Sequence, residues 1–361
     1  MSTIRDIARM AGVSVSTASL ALNGDPRVRP ETRERVVDSA TSLDYHPLRA
    51  ARSLSSGRTW AIQLLNPGID GSLSSGFFAR FVRGMHDAAR DHGYSVTLSV
   101  PASEAEARAV LKRLMAERWA DGVILTNPSE HDALLEDVVG ASFPHVLLGR
   151  SPVPGVTTVD NDNVRVALDA TAHLLALGRR RLVLLNGSAK QTFTRDRAEG
   201  FTLAHRRAGI EPQADSGLFE NANADDARRH LSDRLASGLE LDGLVAVSDS
   251  LALGAMRALA QHGLRVPEDV AVVGMNNDDL TEFTNPTLSS IELNAFELGR
   301  TSAELLLKAI NEPAVGAERR IVDHRLVTRD SSGAARLERG RERSGTPKVA
   351  PKAAPKGASR S

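Results

Sequence analysis

The sequence has no cysteine, so neither disulfides nor thiolate metal sites are open to it. It has no run of about 18 apolar residues, the length that a transmembrane helix needs. No basic segment followed by an apolar stretch opens the chain, so no secretory signal is expected and the expected location is cytoplasmic. No Gly-x-Gly-x-x-Gly or Gly-x-x-x-x-Gly-Lys-Ser/Thr loop follows a candidate strand, and neither a Gly-x-Ser-x-Gly elbow nor His-Glu-x-x-His occurs. The ten His fall at no metal-ligand spacing. Neither catalysis nor a metal nor a cofactor is expected. Net charge is also lacking, since 45 Lys plus Arg balance 45 Asp plus Glu.

That balance hides an asymmetry. Residues 1–60 carry nine Arg against six Asp plus Glu, a net +3, and residues 335–361 carry eight Lys plus Arg against two Glu, a net +6. The middle therefore holds −9. Basic ends on an acidic body suit a chain that meets a polyanion at its ends, although a solvated head and tail would look the same. A hydrophobic fraction of 41% with 25% charged residues excludes wholesale disorder. At 361 residues, two or more domains are the default.

The first 46 residues read as three short helices. Thr3-Ile-Arg-Asp6 has the form of a capping box, and Ile4, Ile7, Ala8 and Ala11 recur at helical spacing. Gly12 breaks that helix and Ser14 can cap the next, from Val15 to about Asn23. Pro30 opens a third, with Val36, Val37, Ala40 and Leu43 expected inside. A short helix, a Gly-containing turn and a second helix make the helix-turn-helix pattern, whose second helix enters the major groove. Candidate DNA contacts are Thr3, Ser14, Val15, Ser16, Thr17, Ser19, Leu20 and Asn23. A plain three-helix bundle is the competing reading of the pattern alone.

From residue 60 onward, apolar runs at 60–65, 94–100, 122–126, 145–148, 181–185, 243–247 and 270–274 alternate with amphipathic stretches such as 78–92, 105–118, 163–177 and 251–262. Such alternation implies βαβ units and parallel sheets, and the length favours two lobes. Beyond Ser331 the chain turns to Pro, Ala, Lys and Arg with few large apolar residues, which predicts a disordered basic tail at 333–361.

Several segments, Thr3-Ile-Arg-Asp-Ile-Ala8, Ala11-Gly-Val-Ser14, Ala21-Leu-Asn23, Pro30-Glu-Thr-Arg-Glu-Arg-Val36, Leu43-Asp-Tyr-His-Pro47 and Ala51-Arg-Ser-Leu54, occur in an order that resembles the lactose-repressor (LacI/GalR) family of bacterial transcriptional regulators. The resemblance covers residues 3 to about 330. It implies an all-α helix-turn-helix headpiece at 1–46 and a hinge helix at 47–58 that folds on DNA. It further implies an α/β two-lobed sensor at 59–332 of the type I periplasmic-binding-protein fold. Leu54 would wedge into the minor groove at the centre of a pseudo-palindromic operator, with Arg49 and Arg52 on phosphate or groove. Two positions depart from the family pattern: Leu20 stands where a longer polar residue is usual, and Leu48 where Asn follows the hinge Pro. Leu20 can make only apolar contact, for instance with a thymine methyl, so a shifted base preference is expected.

The same resemblance implies a small-molecule effector between the lobes of a homodimer, a sugar or sugar derivative first and a nucleoside second. Open α/β sheets bind ligands beyond the carboxyl ends of their strands, which gives candidate effector contacts at Asn66, Phe77, Phe78, Arg150, Gln191, Phe193, Arg197, Asn221, Asp249 and Asn276. Arg197 matches the family's effector-binding arginine, and a guanidinium fork can hold vicinal hydroxyls or a carboxylate. Gly274-Met-Asn-Asn277 replaces the family's common Gly-Phe-Asp-Asp, exchanging acidic acceptors for amides. A transporter's free sugar-binding protein is the alternative, and the headpiece argues against it. The tail lacks the leucine heptads of a tetramerising coiled coil, which favours a dimer.

Overall fold

The computed structural model describes residues 2–22, 24–45, 53, 56–67, 75–130, 132–212, 217–218, 223–313 and 316–333. The headpiece comprises α1 (Ile4–Ala11), α2 (Val15–Leu22) and α3 (Pro30–Ser42). Asp6 accepts from both the Thr3 amide (3.0 Å) and the Thr3 hydroxyl (2.7 Å), so the carboxylate half of the capping box forms. Gly12 ends α1 at φ 66°, a left-handed turn natural to glycine. Ser14 then accepts from the Thr17 amide at 3.1 Å and opens α2. Ile7, Ala18 and Val36 seal a small core between the three helices. Val37 is the exception to the inner face expected of α3. It is 45% exposed, because adjacent helical positions are about 100° apart and Val36 already faces inward.

Two six-stranded sheets follow. The N-lobe sheet has the order β11-β5-β4-β3-β1-β2, built from β1 (Ala61–Leu65), β2 (Ser95–Ser99), β3 (Gly122–Leu125), β4 (His145–Leu148), β5 (Thr158–Asp160) and β11 (Arg319–Ile321). Every pair in it is parallel. The C-lobe sheet has the order β12-β10-β9-β8-β6-β7, built from β6 (Leu182–Asn186), β7 (Gly217–Leu218), β8 (Gly243–Ala246), β9 (Ala271–Met275), β10 (Ser289–Glu292) and β12 (Arg325–Val327). Only β12 runs antiparallel, against β10. The central strands β1, β3, β8 and β9 are buried along their whole length, as helices on both faces require.

The N-lobe is covered by α4 (Gly76–Asp91), α5 (Glu104–Ala116), α6 (Ala133–Gly140) and α11 (Ala295–Asn311). The C-lobe carries α7 (Asn163–Ala176), α8 (Thr192–Arg207), α9 (Ala224–Ala236) and α10 (Asp249–Gln261). The chain passes between lobes three times: between β5 and α7, between β10 and α11, and between β11 and β12. The second crossing follows directly on β10, which ends at Glu292. No described helix is long and apolar enough to cross a membrane.

Helix pairing rests on glycines that let backbones touch. A Cβ on Gly299 of α11 would lie 1.9 Å from the Phe81 carbonyl oxygen of α4, and one on Gly84 would lie 2.0 Å from that of Phe296. No rotamer relieves a clash with backbone, so the helices must separate. Gly299→Ala is therefore expected to destabilise the protein by about 2 kcal/mol or more. The check is the urea midpoint at unchanged slope, and an unaltered midpoint would mean that the pair is loosely packed.

Candidate functional site

The headpiece presents one polar face. Ser14, Val15 and Ser16, at the start of α2, are exposed, and so is Thr3. Thr17, Ser19 and Leu20 are half-buried, and Leu20 also packs on the headpiece core, so part of its side chain is spent on the fold. Asn23, Arg49, Arg52 and Leu54 lie outside the described residues. From residue 58 onward the chain is tied firmly to the N-lobe. Asp121 accepts from the Thr59 amide (2.7 Å), the Thr59 hydroxyl (2.9 Å) and the Trp60 amide (3.0 Å). Arg58 donates to Asn311, the last residue of α11, at 2.6 Å.

Between the lobes lies a cleft of about 520 Å³. Its walls are the loops after the strands, as the parallel sheets dictate: Pro67 after β1, Asn127 after β3, Gly149 after β4, Gly187 after β6, Val247 at the end of β8 and Asn276 after β9. Of the residues proposed from sequence, Phe77, Gln191, Phe193, Arg197 and Asn276 line it. Phe77 also packs against the apolar cores of both lobes.

Arg197 is the charged centre. It is 6% exposed, its Nε donates to Asn163 Oδ1 at 2.9 Å, and its Nη1 donates to the Val247 carbonyl at 2.8 Å. Its guanidinium lies 5.0 Å from the Phe193 ring centroid. Nη2 has no hydrogen-bond partner among the described residues. Burial pulls the Arg197 pKa down to about 10, against the opposite pull of Asp160 and Asp196, so it stays charged at neutral pH. Asp160, at the end of β5, also lines the cleft, and burial pushes its carboxyl up to about 7. A fixed donor beside an acceptor is what a vicinal pair of hydroxyls requires.

Four proposed contacts lie elsewhere. Asn66 stands behind the wall, its Oδ1 accepting from Thr126 (2.7 Å) and from Asn127 Nδ2 (2.8 Å), and so orients Asn127. Phe78 packs on the N-lobe core, one helical step away from Phe77. Arg150 turns away to Asp196, to which it donates at 2.7 and 2.6 Å. Asp249 is 1% exposed and faces the protein, accepting from Ser290 (2.6 Å) and from the Asp278 amide (2.7 Å). Asn221 lies outside the described residues. Sequence reasoning missed Asp160, Asn127 and Asn163. The polar run Asp160-Asn-Asp-Asn163 after an apolar stretch is the signal that could have found two of them.

Burial pushes the Asp249 carboxyl up to about 7 from an unfolded value of 3.8. Between those values the folded protein holds a proton that the unfolded chain has lost, so this group's contribution to stability falls as pH rises through the window. Asp249→Asn keeps an acceptor for the Asp278 amide and a donor for Ser290. Its melting temperature should therefore fall less than that of the parent between pH 5 and pH 8. Parallel curves would assign the pH dependence to other groups.

Residues 3–48 match the profile described as bacterial regulatory proteins, lacI family, and residues 171–332 match that of a periplasmic binding protein-like domain. The ribose operon repressor of Halalkalibacterium halodurans is 32% identical over 338 residues, 92% of this chain and 97% of that protein. The structure of the transcriptional regulator CelR in complex with cellobiose is similar at 29% identity and a TM-score of 0.72, covering 92% of this chain and 100% of that one. The lac repressor dimer bound to operator and the anti-inducer ONPF is similar at 26% identity and a TM-score of 0.78, covering 92% of this chain and 99% of that one. With its helix-turn-helix headpiece, its two-sheet sensor and these relatives, the chain belongs to the lacI family of bacterial regulatory proteins, which are DNA-binding transcriptional regulators and not enzymes.

Proposed function

We propose that this regulator is a cytoplasmic homodimeric repressor, which holds a pseudo-palindromic operator until a sugar or sugar derivative in the cleft changes its affinity. Arg197 carries the effector half of this reading. A buried guanidinium that lines the cleft together with Asp160 is a donor and acceptor set for adjacent hydroxyls. Phe77 and Phe193 add apolar faces of the kind that a sugar ring covers. The cellobiose in the CelR complex and the name of the ribose operon repressor favour the same class.

The DNA half assigns residues 1–46 to base reading through α2, residues 47–58 to a hinge in which Leu54 wedges the minor groove, and residues 59–332 to sensing and dimerisation. A dimer is supported by apolar side chains left in solvent on both lobes. Phe283 is 83% exposed and Leu280 is 64% exposed in the C-lobe, while Leu98 and Val100 stand out on the edge strand β2 and just beyond it. Isolated exposed leucines are ordinary, but an almost bare phenylalanine beside one marks a surface that a partner covers. The lac repressor, a dimer when bound to its operator, agrees.

Two measurements test the two halves separately. Phe283→Asp should convert dimer to monomer in sedimentation velocity and weaken operator binding at least ten-fold, with the melting temperature of the lobes unchanged. A persistent dimer would remove this face from the proposal. Deleting residues 1–58 should abolish DNA binding, while cellobiose, ribose or another sugar of a panel still raises the melting temperature. At 100 times its dissociation constant a ligand stabilises by about 2.7 kcal/mol. A panel of sugars with no shift at all would sink the effector assignment and leave the DNA assignment standing.

A further inference from the structure

The geometry points to a clasp, built by Arg150 and Asp196 with Glu130 and Arg195 beside them, that holds the two lobes closed before any effector arrives. Arg150 follows β4 in the N-lobe and Asp196 lies on α8 in the C-lobe, so the pair crosses the cleft. It is a fork-to-carboxylate contact, Nε to Oδ2 at 2.7 Å and Nη2 to Oδ1 at 2.6 Å. Asp196 is largely shielded, its side chain 10% exposed against 39% for Arg150. Bidentate geometry fixes direction as well as distance, which a single contact between flexible chains does not.

The surroundings make the contact a seam. Arg195 pairs with Glu130 of the N-lobe loop before α6. The Thr192 amide donates to the Pro128 carbonyl at 3.0 Å, and Ser129 forms a β-bridge with Gln191. The loop at 128–130 is thus stitched to the first turn of α8. Gly149 holds φ 125°, a conformation that strains other residues, and it delivers the next residue, Arg150, towards Asp196. On the other rim, Arg80 of α4 donates to the Asn276 carbonyl (2.6 Å) and pairs with Asp278 (3.4 Å) and Asp279 (3.2 Å).

The clasp matters because of where Asp196 sits. The next residue is Arg197, which lines the cleft, so closure and the presentation of the buried guanidinium share one helical turn. A lobe pair closed in advance spares the effector the work of closing it, and its apparent affinity rises with the closed fraction. Arg150 and Asp196 are positioning residues in this sense, and neither of them needs to touch the effector.

The absence of cysteine makes a direct test simple. Glu117→Cys on the N-lobe and Asp233→Cys on the C-lobe, both at exposed positions, give a clean donor–acceptor pair in the full-length chain. Energy transfer between them reads lobe separation without any ligand. Arg150→Ala should lower the closed-to-open ratio about five-fold, the scale of a partly exposed ion pair, and move the transfer accordingly. The double exchange Arg150→Glu with Asp196→Arg should restore it. Arg265→Ala, which breaks a pair with Asp269 inside the C-lobe, should leave it unchanged. Three results overturn the clasp: unchanged transfer in Arg150→Ala, no recovery in the exchange, or an equal change in the Arg265→Ala control.

Discussion

A guanidinium with 6% of its surface exposed is costly unless its donors are met, and much of the sensor's layout follows from meeting those of Arg197. Asn163 at the start of α7 takes Nε, and Val247 at the end of β8 takes Nη1. Phe193, one helical turn earlier, covers a face. The first crossover, the middle of the C-lobe sheet and α8 must therefore converge at one point. Asp160 at the end of β5 arrives there because the first crossover begins with it. The cleft opens at this convergence, with Asp160, Asn163, Phe193, Arg197 and Val247 in its wall. The chemistry of the site and the topology of the crossovers are thus one constraint seen from two sides.

The sequence revealed the strands with the most hydrophobic residues best. β1, β3, β4, β6, β8 and β9 all lie within a residue or two of the runs that point to them, because a strand covered on both faces is apolar throughout. The short strands had no such signal. All three residues of β11 are exposed, and it exists through pairing with β5, more than 150 residues away. β12 likewise depends on β10. Such strands are made by tertiary contact, and no local period announces them. In the headpiece the turn chemistry of Gly12 and Ser14 was plain, whereas the choice between Val36 and Val37 needed the position of the other helices.

The cleft was legible as a set of loops and not as a set of side chains. Parallel sheets place ligands past their carboxyl ends, so the loops after β1, β3, β4, β6, β8 and β9 were fixed by topology. Which neighbour turns inward was not. Gly149 lines the cleft and Arg150 leaves it; Phe77 lines it and Phe78 does not. Each pair differs by a single step of backbone. Asp249 turned out to serve Ser290, 41 residues away, a partner that no local pattern names. Arg197, named from the family resemblance, does line the cleft, and it does so from a buried helical position and not from a loop.

One helix, α11, joins the cleft to the chain that follows the headpiece. It has 17 residues and so spans about 25 Å. Leu298, in its first turn, lines the cleft, and Asn311, at its end, accepts from Arg58 of the chain leaving the hinge. Gly299 and Gly84 lock it against α4, whose own first turn carries Phe77 into the cleft. The two helices pack as part of the N-lobe, and Asp121 fixes Thr59 and Trp60 to the same lobe. Residues 58–60 are therefore held by the orientation of the N-lobe. An effector that filled the cleft without favouring one lobe arrangement over another would bind and change nothing at the operator, because a ligand shifts an equilibrium only by its differential affinity for the states. The response to any effector then depends less on how tightly the cleft holds it than on whether it completes the contacts that close the lobes or pushes them apart.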